Sequence, residues 1–235
     1  MASTSEISFG AKLRKAQDLL AYLSGFTGYN PPRQQETIKG LETLIDDINH
    51  INTAQAGELE NYRLTVAKRQ KAFSKDPYSL EKILSPIKGA VEAQYGKQSP
   101  EAATLNTIIK KMRAAKITKA PADPTKTEKT ISQSQQSYGS LTMLFNNILN
   151  TVAQYPNYVP SNENITVTGL KKISDRLTEL NNDVAQKVQQ LKKVRAMRTE
   201  KYNELADSVQ RIKAYVKAEY GINSDEYKLI KGIRI

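Results

Sequence analysis

The sequence has no cysteine, no tryptophan and a single histidine, His50. The absence of cysteine excludes disulfides, thiolate zinc sites, iron–sulfur clusters and a cysteine nucleophile. Ser-His-Asp catalysis or a metal site would have to depend on His50, which lies one helical turn after Asp46 and Asp47. A di-iron helical bundle, in contrast, needs a Glu-x-x-His motif on each of two helices. We therefore interpret His50 as a surface or capping residue.

Two other features are missing. No segment approaches the ~20 apolar residues that span a bilayer, and the N-terminus lacks the basic start and apolar core of a secretory signal. Neither phosphate-binding glycine motif, GxxxxGK[ST] or GxGxxG, occurs in the chain. We expect a cytoplasmic protein that is not an enzyme and that uses no cofactor or metal.

The residues that are common indicate the fold class. Ala, Leu, Ile, Lys, Gln, Glu and Asn dominate, whereas Phe occurs only four times. This usage favours helices over sheets. The composition therefore predicts an all-α protein.

The clearest pattern in the chain is an internal repeat. The stretch IKGAVEAQYGKQSPE, residues 87–101, returns 125 residues later as IKAYVKAEYGINSDE, residues 212–226. At an offset of 129 residues, the segment 8–41 aligns without a gap with 137–170. The offset changes in steps of four residues, which is about one helical turn. A repeat that covers nearly the whole chain predicts a tandem duplication.

The duplication predicts the organisation of the molecule. Copy 1 covers residues 8–113 and copy 2 covers 137–235, while 114–136 has the Pro, Thr, Ser, Lys and Gln content of a linker. Two fused copies imitate a homodimer within one chain. We predict an elongated, coiled-coil-like helical bundle in which the two modules are related by a pseudo-twofold axis.

Each copy is predicted to contain a first helix followed by a long one. The first helix of copy 1 spans 8–24, with leucines at helical spacing. In copy 2 a heptad stripe begins at Leu170, and no Pro or Gly interrupts residues 170–220. Copy 1 is expected to break at residues 74–79, where Asp76 would cap a new helix and Pro77 would occupy its first turn.

The repeated motif YGxxSxE follows the long helix in both copies. Gly96 suits a left-handed stop at a helix C-terminus, and Ser99 suits the start of a short helix. We interpret the motif as a joint between two helices. The alternative, in which its Tyr or Glu binds a ligand, stays open.

The net charge of +11 raises the question of an anionic partner. The basic excess is five in each copy and two in the linker, so no tail concentrates it. Basic residues also occupy the heptad stripe, where they must pair with a carboxylate such as Glu58, extend past the seam, or face a partner. The candidate contacts with an anionic partner are Arg69, Lys110, Lys111, Arg113, Lys192, Lys193, Arg195, Arg198, Lys201, Lys231 and Arg234.

Two functional hypotheses follow from these patterns. The leading one is a non-enzymatic structural or interaction protein, a helical spacer or adaptor that acts through protein partners or self-association. The alternative is a protein that binds nucleic acid or another anionic polymer through the repeated basic residues. A membrane-inserting role is disfavoured because the sequence contains no apolar hairpin long enough to insert.

Overall fold

A computed structural model describes residues 4–113 and 137–235, with side-chain environments described from Ser8 onward. Within these ranges the regular secondary structure is entirely helical, which confirms the predicted all-α class. The predicted linker, 114–136, lies outside the described residues.

The described segments contain seven α-helices and three short helical turns of other types. The α-helices are α1 (Thr4–Ser24), α2 (Ile38–Gln70), α3 (Leu80–Tyr95), α4 (Pro100–Arg113), α5 (Tyr138–Ala153), α6 (Val167–Glu219) and α7 (Asp225–Ile230). Two 3₁₀ turns, Gln34–Glu36 and Glu163–Ile165, precede α2 and α6, and a π-helical turn, Lys71–Lys75, follows α2.

The chain forms two compact units. Unit 1 consists of Met1–Asn61 together with Val188–Ile235, and unit 2 consists of Tyr62–Lys187. The boundaries fall inside α2 and α6, so each of these helices contributes a segment to each unit.

Unit 1 has an apolar core supplied by four helices. Side chains of α1, α2, α6 and α7 are buried in it at intervals of three and four residues, as expected for amphipathic helices. The buried residues are Ala16, Leu19, Leu23, Leu41, Leu44, Ile45, Ile48, Tyr202, Leu205, Val209, Ile212, Val216 and Ile230.

Unit 2 has its own core, built by the π-helical turn after α2, by α3, α4 and α5, by the loop that follows α5 and by the first part of α6. Phe145, Ile87 and Leu105 are among its fully buried side chains. Its remaining members include Phe73, Leu80, Ile83, Val91, Ile109, Ile148, Val152, Leu170 and Leu177.

The heptad stripe predicted on copy 2 lies along α6, a single helix of 53 residues. Every seventh residue from Leu170 to Leu205 is buried, and the intervening stripe positions are half-buried. At the buried positions, spaced by seven residues, the side chain is leucine or valine in every case except Arg198. The absence of Pro and Gly allows the helix to continue without a break.

Copy 1 breaks where the sequence predicts it, but the details differ from the prediction. The π-helical turn ends at Lys75 and α3 begins only at Leu80, so Pro77 lies in the turn and not in the first turn of the helix. Ser79 occupies the N-cap position that was predicted for Asp76. Asp76 instead forms an ion pair with Arg176, with 3.2 Å between Oδ2 and the guanidinium nitrogen.

The YGxxSxE motif is a helix joint, as predicted. Gly96 and Gly221 have φ of 92° and 95°, a backbone region that favours glycine. Ser99 Oγ accepts a hydrogen bond from Ala102 N at 3.1 Å, and Ser224 Oγ accepts one from Tyr227 N at 3.1 Å. The glycine ends one helix and the serine caps the next one.

A threonine cap and a glycine define the starts of the two long helices. Thr37 Oγ1 accepts a hydrogen bond from Gly40 N at 3.1 Å while it donates to the carbonyl of Gln34. The chain passes so close to Gly40 that a Cβ there would lie 2.1 Å from the Gln34 oxygen. Gly169 has the same relation to the oxygen of Glu163.

We expect Gly40→Ala to lower the free energy of unfolding by about 2 kcal/mol or more, because the backbone carbonyl of Gln34 must move away from the new methyl group. Gly57→Ala is the matched control, since Gly57 lies inside α2 with no heavy atom within 4 Å of an added Cβ. The control should raise stability by about 0.5–1 kcal/mol. Urea denaturation measures both, and equal effects would contradict the close approach.

Candidate functional site

Arg198 lies at the one polar position of the buried α6 stripe. Its side chain is only 6% exposed. The guanidinium group lies over the ring of Phe9, 4.3 Å from the ring centre, and donates a hydrogen bond to the Gln55 side chain. Arg198 is therefore engaged within unit 1 by an aromatic face and a neutral amide.

Arg69 has a similar environment in unit 2. Its guanidinium carbon lies 4.1 Å from the ring centre of Tyr138, and the side chain is half-buried. The Tyr138 ring is also in edge contact with Phe73, with 4.7 Å between ring centres. Stacking on aromatic faces accounts for a basic residue near the apolar core.

Lys201 follows the pattern that the sequence predicted for the stripe. Its ammonium group lies 3.1 Å from Asp47 Oδ2 and 3.0 Å from Glu204 Oε2. The hydrogen bond to Glu204 is the main cause that raises the pKa of Lys201. Lys201 therefore extends from the seam to carboxylates at the surface.

The other predicted contacts are exposed and divide between the two units. Lys110, Lys111 and Arg113 lie at the end of α4 in unit 2, and Arg113 donates a hydrogen bond of 2.8 Å to Ser85 Oγ. In unit 1, Lys192, Lys193 and Arg195 lie on α6, and Lys231 and Arg234 follow α7. The carbonyl of Arg234 accepts a hydrogen bond from Lys15 Nζ at 3.1 Å.

His50 is exposed, which fits the predicted surface position. Among residues 4–113 and 137–235, no group of three or more His, Asp, Glu or Cys side chains is placed to hold a metal ion. In the same ranges no helix combines the length and apolarity needed to cross a membrane.

A concave surface that the sequence did not predict lies in unit 2. It is a groove of about 370 Å³ between α3 and the segment that follows α5. The helix contributes Pro86, Ala90, Ala93 and Gln94, and the segment contributes Tyr158, Val159, Pro160, Ser161, Asn162 and Ile165. We name this surface the α3 groove.

Tyr158 is one of the residues that line the α3 groove. Its side chain is buried, and its hydroxyl donates to the Ile165 carbonyl at 2.9 Å. Burial raises the pKa of Tyr158 from its usual 10.0 to about 12, and the nearby Tyr95 adds to this effect. Burial also raises the pKa of Tyr29, which makes the same type of hydrogen bond to Glu36 in unit 1. The lining of the groove thus combines apolar side chains with polar ones in nearly equal measure.

We expect Arg198→Lys to lower the free energy of unfolding by about 2 kcal/mol, because lysine keeps the charge but loses the planar group that stacks on Phe9 and bonds to Gln55. Arg195→Lys, at an exposed position on the same helix, should change stability by less than about 0.5 kcal/mol. Denaturation curves of the two variants test this difference. Similar stabilities would show that Arg198 has no structural role.

Stability should fall as pH rises between 10 and 12, the interval over which the unfolded Tyr158 phenol ionises while the folded one keeps its proton. A folded-state pKa above the unfolded value gives a contribution that is complete below the unfolded pKa and is lost above it. Tyr158→Phe should make the alkaline decline shallower, with Tyr22→Phe as the control for loss of an exposed phenol. The measurement is the urea midpoint of each variant across this pH range. If the midpoint of Tyr158→Phe falls with pH as steeply as that of the unchanged chain, the prediction is wrong.

The comparisons with known proteins add no relative. No protein-family model matches the sequence, and no curated protein and no solved structure shows significant similarity to it.

Proposed function

We propose that this protein is a non-enzymatic helical adaptor that acts through contacts with other proteins. The observation that carries the proposal is the recurrence of the same side-chain contacts in units 1 and 2, at constant offsets in sequence. One chain then holds two helical units that are built alike, an arrangement that suits a scaffold for contacts with other proteins.

The loops before the two long helices provide the first set of matched contacts. Tyr29 donates to the carbonyl of Glu36, and Tyr158 donates to that of Ile165, both at an offset of 129 residues. The threonine caps and the crowded glycines of these loops recur at the same offset. The loops before α2 and α6 thus agree in both backbone and side-chain contacts. This agreement supports a common origin of the two copies.

The second set joins the two halves of the sequence. Phe9 packs against Tyr202 in unit 1, with 4.6 Å between ring centres, and Tyr138 packs against Phe73 in unit 2, at 4.7 Å. The phenylalanine and the tyrosine exchange places, because Tyr138 corresponds to Phe9 and Tyr202 to Phe73 at the offset of 129. In both units an arginine stacks on the ring from the first helix.

From these matches we infer a tandem duplication whose copies exchange their ends. Unit 1 takes α1 and the start of α2 from copy 1, and the end of α6 with α7 from copy 2. Unit 2 takes the complementary parts. Each first helix thus packs on the other copy's long helix, as in a domain-swapped dimer fused into one chain.

The duplication also explains the break after α2. The alignment offset falls from 129 to 125 between Phe73 and Ile87, the interval that holds the turn before α3. The four extra residues of copy 1 match the four-residue connection between the π-helical turn and α3, residues 76–79. In copy 2 the shorter interval is part of the uninterrupted α6.

A second candidate function is binding of nucleic acid or another anionic polymer. Five exposed basic side chains make no ion pair or hydrogen bond within the described part of the chain, namely Lys110, Lys111, Lys192, Lys193 and Arg195. Charges without a local counter-charge favour anionic partners. The engagement of Arg198, Arg69 and Lys201 inside their own units weakens this candidate.

Reversal of three of these charges distinguishes the two functions. We expect the triple variant Lys192→Glu, Lys193→Glu and Arg195→Glu to capture the same proteins from nuclease-treated native extract as the unchanged chain does. Identification of the captured proteins by mass spectrometry is the measurement. The change is confined to exposed positions, so the variant should keep its fold, which circular dichroism can check.

The matched assay uses purified chain and fluorescent single-stranded and duplex oligonucleotides. An adaptor should bind them only weakly, with no difference between the triple variant and the unchanged chain. Binding of nucleic acid would be the better supported function if the affinity is high, falls log-linearly with salt concentration and is abolished by the charge reversal. Loss of all captured proteins on nuclease treatment would lead to the same conclusion.

A further inference from the structure

The α3 groove has a counterpart in unit 1 that is filled. Ala90 corresponds to Tyr215 at the offset of 125 residues within the repeated motif. The Tyr215 ring lies edge-on against Tyr29, with 5.5 Å between ring centres, and its hydroxyl accepts a hydrogen bond from Asn30 N at 3.3 Å. In unit 2 the corresponding alanine has no ring to place against Tyr158, and a groove of about 370 Å³ lies there.

The surrounding contacts show that the two places are built alike. Tyr220 donates to the carbonyl of Thr27 in unit 1, and Tyr95 donates to that of Pro156 in unit 2. The same two tyrosines pack against Phe26 and Tyr155 respectively. The helix and the loop therefore make matching contacts in both units. Several residues that line the groove differ from their counterparts, and the phenol ring of Tyr215 has no equivalent in unit 2.

The walls of the groove suit that ring. Tyr158 corresponds to Tyr29 at the offset of 129 residues and lines the groove. Val159 corresponds to Asn30, and its N–H makes no hydrogen bond within residues 4–113 and 137–235. In unit 1 the Tyr215 hydroxyl accepts a hydrogen bond from Asn30 N, the counterpart of Val159 N. A phenol in the same place in unit 2 would accept a hydrogen bond from Val159 N.

We propose that the α3 groove binds a tyrosine side chain presented by a partner protein. The chain itself has no candidate in its undescribed segments, because residues 1–7 and 114–136 contain no aromatic residue. The rim carries Gln94, Ser161 and Asn162, whose polar side chains can bond to the peptide groups on either side of the tyrosine. The volume lies at the lower end of the range of about 300–1,000 Å³ for small ligand sites, which suits a single side chain.

This inference rests on the proposed adaptor function and names the feature that the adaptor would recognise. It also assigns different roles to the two units. Unit 1 holds its own tyrosine in the corresponding place, so it is closed, whereas unit 2 is open to a partner.

The test uses the full ¹⁵N-labelled chain with two probes, p-cresol and N-acetyl-tyrosine methylamide. We expect saturable shifts of the Val159 and Ala93 amide signals, and tighter binding of the tyrosine derivative because its amides reach the polar rim. Ala90→Tyr should abolish the shifts and raise the melting temperature, since it restores the ring present in unit 1. Tyr215→Ala should create a second response, at the amide of Asn30.

Several outcomes would overturn the proposal. Equal responses in the unchanged chain and Ala90→Tyr would show that the probes do not enter the groove. Tighter binding of p-cresol than of the tyrosine derivative would indicate a site for small phenols and not for a protein. Concentration-dependent dimerisation that Ala90→Tyr abolishes would identify a second copy as the occupant.

Tyr215→Ala provides an independent test if Ala90→Tyr does not fold. Absence of a new response near Asn30 would show that the matched site cannot bind the ring either. The adaptor function is judged separately, by capture of protein partners. If Ala90→Tyr captures the same proteins as the unchanged chain, the groove is not the contact although the adaptor function stands.

Discussion

The buried stripe of α6 is the constraint on which the rest of the structure depends. Its apolar side chains repeat every seven residues along a helix that no Pro or Gly interrupts, so one element supplies core residues to both compact units. At Arg198 the stripe accepts a charge, because Phe9 covers the guanidinium face and Gln55 accepts its hydrogen bond. Burial of a charge without such partners would be strongly unfavourable.

The same stripe shows why the position of a basic residue in a heptad does not by itself identify a binding site. Position in a heptad indicates that a residue faces a neighbouring helix, but not whether an aromatic ring, an amide or a carboxylate lies there. Arg69 stacks on Tyr138, whereas Lys201 extends to two carboxylates. The distinction depends on residues that are distant in sequence, since Arg69 and Tyr138 belong to different halves of the chain.

Much of the fold could be predicted from local patterns. The all-α class, the long uninterrupted helix, the break after α2 and the glycine and serine of the repeated joint depend on helix propensity and capping, which act within a few residues. The prediction that Asp76 caps α3 was wrong. Asp76 accepts a hydrogen bond from Arg176, a residue 100 positions away in the sequence. The α3 groove was missed, although the change from Tyr215 to Ala90 in otherwise similar motifs was a signal for it.

The sequence by itself determined which segments are helical and where they end, because backbone hydrogen bonding and side-chain periodicity are local properties. It also carried the repeat that predicts two related modules. Tertiary structure alone decided how these segments combine, with unit 1 assembled from both ends of the chain and unit 2 from its continuous middle. Apolar stripes with helical spacing do not by themselves specify which helix they pack against, so the choice depends on the whole set of packed side chains, and so does the groove beside Tyr158.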